Sequence, residues 1–438
     1  MGWEIILLMF FLGLVLFILL GMPVALAFLT VTFAGTFILD GTLGLTQLAI
    51  PLMVSIRSWS FLPIPLFILL GELLFRSGIA GRAVNVIDML FGRMPGRLGV
   101  ISVVSATLMG TFTGSSMATS SVLLSTLYPE MEKRGYKTPM SVGPIIGAGG
   151  LARMIPPNTL SVVLATLASV SVGQLLMAAF IPGLLMALLY IVYIIIRCWL
   201  HPSIAPLYYR PRMALSKILW LFFRNLVPIG LIVFLVSGFI FFGIATPSES
   251  AAAGVVGAIF LLALYKQLNL KILKESFSQA TKISIMLFTI IMGSVAFSYA
   301  LSFSGVNKSL VEWVTSLSIH PLMILISFQL ILLILGMFVE TTSIIMITIP
   351  VFMPIIRGLG FDPVWFLVLF MINMEMAEST PPFGVLLFVT KGALPSIPMK
   401  DIILAGLPFL ACDAIATIMV MIFPKITLWL PSIVLQFR

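Results

Sequence analysis

Hydrophobic runs separated by short polar breaks fill nearly the whole chain. They lie at about 4–21, 23–40, 51–75, 98–127, 141–169 and 173–197, and, beyond the connector HPSIAPLYYRPRMALSK, at 219–243, 247–265, 282–303, 321–355, 364–390 and 402–430. Crossing the ~30 Å hydrocarbon core takes about 20 apolar residues in a helix. The pattern therefore predicts an all-α integral membrane protein with six segments on each side of one linker. The first run follows Glu4, has no basic residue before it and is followed by GMPVALAF without an A-x-A site, so it reads as a retained span rather than a signal peptide.

Polar and breaker residues recur at a constant offset. Pro23 pairs with Pro247, Ser77-Gly78-Ile79 with Ser304-Gly305-Val306, Gly110 with Gly336, and Pro156-Pro157 with Pro381-Pro382, all separated by 224 to 227 residues. Four matches in order indicate an internal repeat. The fourth segment of each half carries a polar tip near its middle, GTFTGSSMATSS in one and GMFVETTSIIMI in the other, and reads as a re-entrant hairpin. Each half then makes five crossings, an odd number, and the second half is inverted. The predicted organisation is a first repeat over 1–197 with a cytoplasm-facing hairpin at about 98–127, a cytoplasmic linker over 198–218, and a second repeat over 219–438 with a periplasm-facing hairpin at about 321–355.

Charge supports this topology. With both termini periplasmic, the cytoplasmic loops 76–97, 130–140, 197–224, 266–282 and 391–400 hold eighteen Lys and Arg, while Arg57, Lys308, Arg357, Lys425 and Arg438 remain outside. That asymmetry follows the positive-inside rule. Twelve full spans would put the basic 130–140 loop on the wrong side.

Backbone without helical hydrogen bonds survives at membrane depth only inside protein or around a site. The tips at 113–116 and 339–343 and the breaks at 152–158 and 377–384 are therefore expected to face one another. Pro157 and Pro382 free carbonyls about one turn earlier. Such carbonyls, with Ser and Thr hydroxyls, are hard oxygen ligands suited to Na+ rather than to a transition metal. Helix N-termini at the same breaks offer amides to an anion. Ordinary small-residue helix packing could account for one such tip, but not readily for its recurrence beside a second Pro-Pro.

Charges inside the membrane cost at least about 2.5 kcal/mol each and tend to be paired or functional. Arg153 and Glu378 each stand three residues before a Pro-Pro. They read either as a mutual pair, with Glu375 as a further partner, or as a place where Arg153 attracts a substrate carboxylate. Glu340 could tune a cation site or lie at the interface; Glu249, in TPSESAAAG, belongs to a helix start.

Composition sharpens the class. The chain is 61% hydrophobic and 9% charged over 438 residues, which leaves no room for a large soluble domain. Its net charge of +9 is spread over short loops without a basic, aromatic-interleaved stripe, so no nucleic-acid partner is expected. Cys198 and Cys412 lack metal-ligand spacing and read as packed thiols. His201 and His320 each precede a proline at a segment end. Hydrolase, nucleotide-binding, redox and zinc-peptidase motifs are absent, which points away from an enzyme and from ATP-driven transport.

GMPVALAF, FTGSSMATSS, GAGGLARMIPPN, ATPSESAAAG, GMFVETTSIIMITIPVFMPI and AESTPPFGVLLFV, in this order, resemble the large membrane subunit of tripartite ATP-independent periplasmic (TRAP) transporters. The resemblance spans nearly the whole chain. It implies a multi-pass bacterial inner-membrane importer of organic anions, driven by Na+ as coupling ion through an elevator mechanism in the ion-transporter superfamily, without a cofactor. It also implies a small membrane subunit and a periplasmic substrate-binding protein as partners. One Na+ site falls by this likeness at Thr113, Ser115, Ala152, Ile155 and Pro157, and a second at Thr341, Thr342, Ala377, Thr380 and Pro382. Gly114, Ser116, Arg153, Asn158, Glu378 and Ser379 are the substrate-site candidates. Departures are Glu340, where aspartate is expected, and the charges of Arg153 and Glu378 at positions often uncharged in the family. Other readings are a stand-alone Na+/anion symporter or Na+/H+ antiporter, and an uncoupled channel or scaffold.

Overall fold

The computed structural model describes residues 2–90, 92, 94–206 and 214–436; Arg93, Arg210, Arg212 and Arg438 of the charge census lie outside them. The described residues form helices and no strand. The first half runs α1 (Trp3–Leu19), α2 (Val24–Arg57), α3 (Pro63–Arg76), α4 (Ile79–Leu90), α5 (Arg97–Thr113), α6 (Ser116–Thr126), the short α7 (Tyr128–Lys133) and α8 (Thr138–Ser141), α9 (Gly143–Gly150), α10 (Thr159–Leu167) and α11 (Val172–Leu200). In the second half come α12 (Leu215–Asn225), α13 (Val227–Val233), a π-helical turn at Phe234–Gly238, α14 (Phe239–Phe241), α15 (Pro247–Leu264), α16 (Leu270–Phe303) and α17 (Val306–Ser316). It ends with α18 (Pro321–Phe338), α19 (Thr341–Gly358), α20 (Pro363–Ser379), α21 (Val385–Ala393), α22 (Met399–Ile422) and α23 (Lys425–Gln436).

Some elements recur at the offset of the sequence landmarks. α18 begins 224 residues after α5, and α22 begins 227 after α11. Both polar-tipped segments are helical hairpins, α5–α6 and α18–α19. Gly114 ends α5 in the left-handed region at φ 53°, a conformation glycine adopts without steric cost. Ser115 then caps α6 by accepting the amide of Ala118 at 3.3 Å. Both Pro-Pro bonds are cis.

Several boundaries differ from the sequence expectation. The gap expected at 41–50 is helical: α2 continues to Arg57 and absorbs a kink at Gly41. The expected 266–282 loop is mostly the start of the 34-residue α16, because Asn269 caps it by accepting the amide of Ile272 at 2.7 Å. The last run breaks at Phe423-Pro424, where α22 ends and α23 begins. Eight described helices are long and apolar enough to cross a membrane; α1 and α20 fall short at 17 residues each, and α9 and α10 are half-length segments on either side of the first break.

Packing divides the helices into two sets. α1, α2, α3, α15, α16 and α17 lie together. A separate apolar core joins α1, α2, α16 and α17 with Met346 of α19 and contains Phe10, Phe28 and Phe297, stacked edge to face at 5.7 and 5.1 Å, while α3 and α15 pack into the main core. The hairpins, the broken segments, α11 and α22 form the other set, with α20 buried along its whole length. The polar residues of the breaks meet within the second set, against α3 and α16 of the first.

Candidate functional site

Each hairpin docks on a break through one glycine. A Cβ on Gly110 would lie 2.4 Å from the Cα of Ala152, and one on Gly336 would lie 2.2 Å from the Cβ of Ala377. Only a hydrogen fits either gap. The two contacts join positions separated by the offset of the sequence landmarks, and the first sits on the hairpin whose tip glycine, Gly114, lies beside Asn158 and Thr159.

Above these contacts lies a cavity of about 330 Å³, at the small end of ligand pockets. Its wall includes Gly114 and Ser115 of the first tip, Arg153 and Thr159 of the first break, and Glu340, Thr341 and Thr342 of the second tip. Both tips and the first break, far apart in sequence, thus face one space as expected, while no residue of the second break at 377–384 lines it. The N-termini of α6, α10 and α19 all open onto it. Capped by Ser115, Asn158 and Glu340, they still supply the partial positive charge of the helix dipole. Arg153, 8% exposed, adds a full one.

Arg153 is held by an ionic network rather than left free. Its guanidinium pairs closely with Glu378, lies 3.9 Å from Glu375 through Nε and donates to Thr341 Oγ1 at 2.9 Å. Thr341 donates in turn to Glu378 at 3.2 Å. The mutual-pair expectation is met, and the pair links the two halves of the chain. Burial makes such a pair costly to break, because an uncompensated charge remains. Both oxygens of Glu375 and Oε2 of Glu378 have no hydrogen-bond partner.

Other candidates fall as follows. Thr113 closes α5, and its side chain lies outside the described residues. Ala152, Ile155 and Pro157 are buried at the first break. Ser116 is fully buried with an unpartnered hydroxyl, and Asn158 caps α10 through Oδ1, accepting Ser161 N at 2.7 Å, while its Nδ2 is unpartnered. In the second half, Thr342 donates to Glu340 at 2.8 Å, and Thr380 and Ser379 donate to the Met376 carbonyl at 2.5 and 3.1 Å. Ala377 is buried and Pro382 exposed. Ser116, Asn158, Glu378 and Ser379 stand behind the cavity wall rather than on it.

Glu340 is the N-cap of α19, accepting the amides of Thr342 at 2.9 Å and Ser343 at 3.2 Å. Glu249 completes a capping box with Thr246 at the start of α15, as expected. Two acids were not singled out by the sequence pattern. Glu72 of α3 lines the cavity, and Asp413 of α22 is buried and accepts the hydroxyl of Tyr190. An isolated carboxylate in an apolar run is the signal that marks both.

Fold and site together define a multi-pass membrane protein with a polar centre built from two hairpins and two broken helices. A solved transporter of this shape is that of Alcanivorax borkumensis YdaH, described as having an unusual topology: TM-score 0.62 over 87% of this chain and 89% of that one, at 15% identity. The family is settled by sequence, since residues 11–426 match "Tripartite ATP-independent periplasmic transporter, DctM component", and the chain belongs to that family. Relatives include the C4-dicarboxylate TRAP transporter large permease protein DctM of Pseudomonas aeruginosa, 33% identical over 88% of this chain and 89% of the relative. The sialic acid large permease SiaM of Vibrio cholerae is 28% identical over 95% and 96%. The ectoine large permease TeaC of Halomonas elongata is 29% identical over 94% and 96%. These relatives are transporter permeases, and the chain is accordingly a multi-pass inner-membrane protein.

Proposed function

We propose that this chain is the large permease of a complex that imports an organic acid across the inner membrane, coupled to Na+. The observation that carries the reading is the cavity where three helix N-termini and Arg153 converge. Such a convergence is an anion receptor, and carboxylates are the anions named for the C4-dicarboxylate and sialic acid relatives. Arg153 would exchange one of its two carboxylate partners for the substrate's.

Sodium is the ion that suits the remaining groups. Glu72 and Glu340 face the same cavity, so an anion entering alone meets two like charges. Buried Ser116 and Ser120 carry unpartnered hydroxyls, and oxygen donors without nitrogen or sulfur favour hard cations. The two sites would lie at Thr113, Ser115, Ala152, Ile155 and Pro157, and at Thr341, Thr342, Ala377, Thr380 and Pro382. Hydroxyls of Thr341, Thr342 and Thr380 now engaged within the protein would turn to the ion when it binds. Inverted repeats give two gates of opposite orientation around a central site, which is what alternating access needs. The helix set containing the hairpins is the moving body in this reading, sliding as an elevator against the set built on α2 and α16, with both chain termini periplasmic.

The complex would include a small membrane subunit and a periplasmic binding protein that delivers the acid. Reconstitution of the three components in proteoliposomes tests the proposal, using succinate, N-acetylneuraminate and ectoine as labelled candidates under an inward Na+ or K+ gradient. Accumulation of at least one acid that requires Na+ and all three components is expected. Uptake by this chain alone would favour a stand-alone carrier, and uptake indifferent to Na+ would defeat the coupling.

A further inference from the structure

A second opening adjoins the central cavity. It is a surface cleft of about 400 Å³ lined by Arg76 at the end of α3 and by Lys271, Lys274, Glu275, Ser278, Gln279 and Lys282 on the first turns of α16. The α16 residues recur at three- and four-residue spacing and so form one polar face. The same two helices line the inner cavity: Ile68, Gly71, Glu72 and Phe75 from α3, and Ile283, Met286 and Leu287 from α16. Cleft and cavity are therefore consecutive stretches along one helix pair. Lys282 lines the outer space and its neighbour Ile283 the inner one.

An ion-pair chain marks the boundary. Glu72, facing the cavity, accepts Arg76 Nε at 2.9 Å; Arg76, facing the cleft, reaches Glu275 through Nη1 at 3.0 Å. Glu275 and Arg76 are partly open to solvent, with side chains 44% and 30% exposed. Pairs of this kind are weak and are screened by salt. Arg76 can therefore leave Glu72 for a passing carboxylate at little cost. Nothing acidic in the cleft offsets Lys271, Lys274 and Lys282 except Glu275, which already serves Arg76.

We propose that this basic cleft is the cytoplasmic exit vestibule of the central site: an organic anion leaving the cavity passes Glu72, is taken up by Arg76 and is drawn out by Lys271, Lys274 and Lys282. The inference rests on the anion-transport reading for its biological meaning. Its side assignment follows from the basic residues, which mark the cytoplasmic face. Clefts lined by one sign of charge raise local counter-ion concentration and arrival rates by about 10- to 1,000-fold, and the same field lowers the barrier for an anion moving outward through it.

The test uses a probe that is not a substrate. Ala118→Cys places a thiol on the cavity wall, while Cys198 and Cys412 are buried. In inside-out vesicles carrying the whole complex, the anionic ethylsulfonate and the cationic trimethylammonium methanethiosulfonates are compared for labelling rate. The expected result is an anionic preference of at least about tenfold over that of the Lys271→Gln/Lys274→Gln/Lys282→Gln background, at the lower end of that range. High salt should remove the preference, and right-side-out vesicles should label slowly. Each single lysine variant should lose a share, which keeps the test open if the triple variant fails to assemble. A preference unchanged by the lysines, or labelling only from the opposite face, overturns the proposal. So does loss of a bound anionic phospholipid in native mass spectrometry with no change in labelling, which makes the cleft a headgroup site. A failed labelling test leaves the transport reading standing, and absent organic-acid uptake with a normal labelling preference defeats that reading alone.

Discussion

Replacing Arg153 by Ala exposes how the buried centre is balanced. Among the described residues, the Arg153 guanidinium is the cation paired with two buried carboxylates, Glu375 and Glu378, whose side chains are 1% and 7% exposed. Its removal leaves Glu378 with the hydroxyl of Thr341 as a hydrogen-bond donor. Breaking a buried pair in this way costs about 3–5 kcal/mol, and two acids depend on this one. Adding Glu378→Gln removes one stranded charge and keeps its shape, so the double variant should regain at least about 1 kcal/mol of the loss, within the coupling range expected for contacting residues. Thermal unfolding of the purified complex in nanodiscs, followed by the fluorescence of a thiol dye, gives the order: wild type, double variant, Arg153→Ala. Losses that add in the double variant would refute the balance. Uptake separates a structural from a substrate role. The Arg153→Ala fraction that remains folded should show weakened substrate affinity, and full activity with normal affinity would sink the carboxylate-binding role.

Gly110→Val and Gly336→Val should each wedge a hairpin off its break at a cost of about 1–3 kcal/mol for overpacking. Each should raise the Na+ concentration needed for half-maximal uptake, and an effect from only one of them would speak against equivalent halves. Tyr190→Phe removes the donor to buried Asp413 and should destabilise the complex by about 1–3 kcal/mol, while Tyr190→Phe/Asp413→Asn should be milder; melting curves decide. Thr246→Ala removes the cap of α15 and should cost about 1 kcal/mol, restored by Thr246→Ser, again read from melting.

The site was legible where the chain breaks its own hydrophobic pattern. Gly110, Gly336 and the two Pro-Pro pairs stand out because each is costly inside an apolar helix, and their equal spacing revealed that they belong together. Arg153 and Glu378 were visible for the same reason, as charges in apolar runs, and their pairing could be posed as an alternative. Helix length was less legible. The amphipathic first turns of α16, with Lys271, Lys274 and Lys282, look like a loop when the apolar run alone is followed, although Asn269 supplies the cap that starts a helix there. In α2, Gly41 bends the helix without ending it, and no sequence feature distinguishes these outcomes. Glu72 stood out only as a carboxylate in an apolar run, and which space it faces was not legible, because its neighbours on α16 come from about 200 residues further along the chain. Thr341 shows the same limit from the other side: its hydroxyl chemistry was plain, but its partner Arg153 depends on how the halves meet, whereas Thr342 and Thr380 bond within their own segments to Glu340 and Met376.

The central claim is that anion and cation cross together through one site formed by both halves. Parallel flux of 22Na+ and a 14C-labelled acid, measured on the same proteoliposomes containing the three-part complex, tests it most directly. A fixed ratio of at least one Na+ per acid, constant as the acid concentration is varied, is the predicted result. Acid accumulation with no accompanying 22Na+ entry would contradict it.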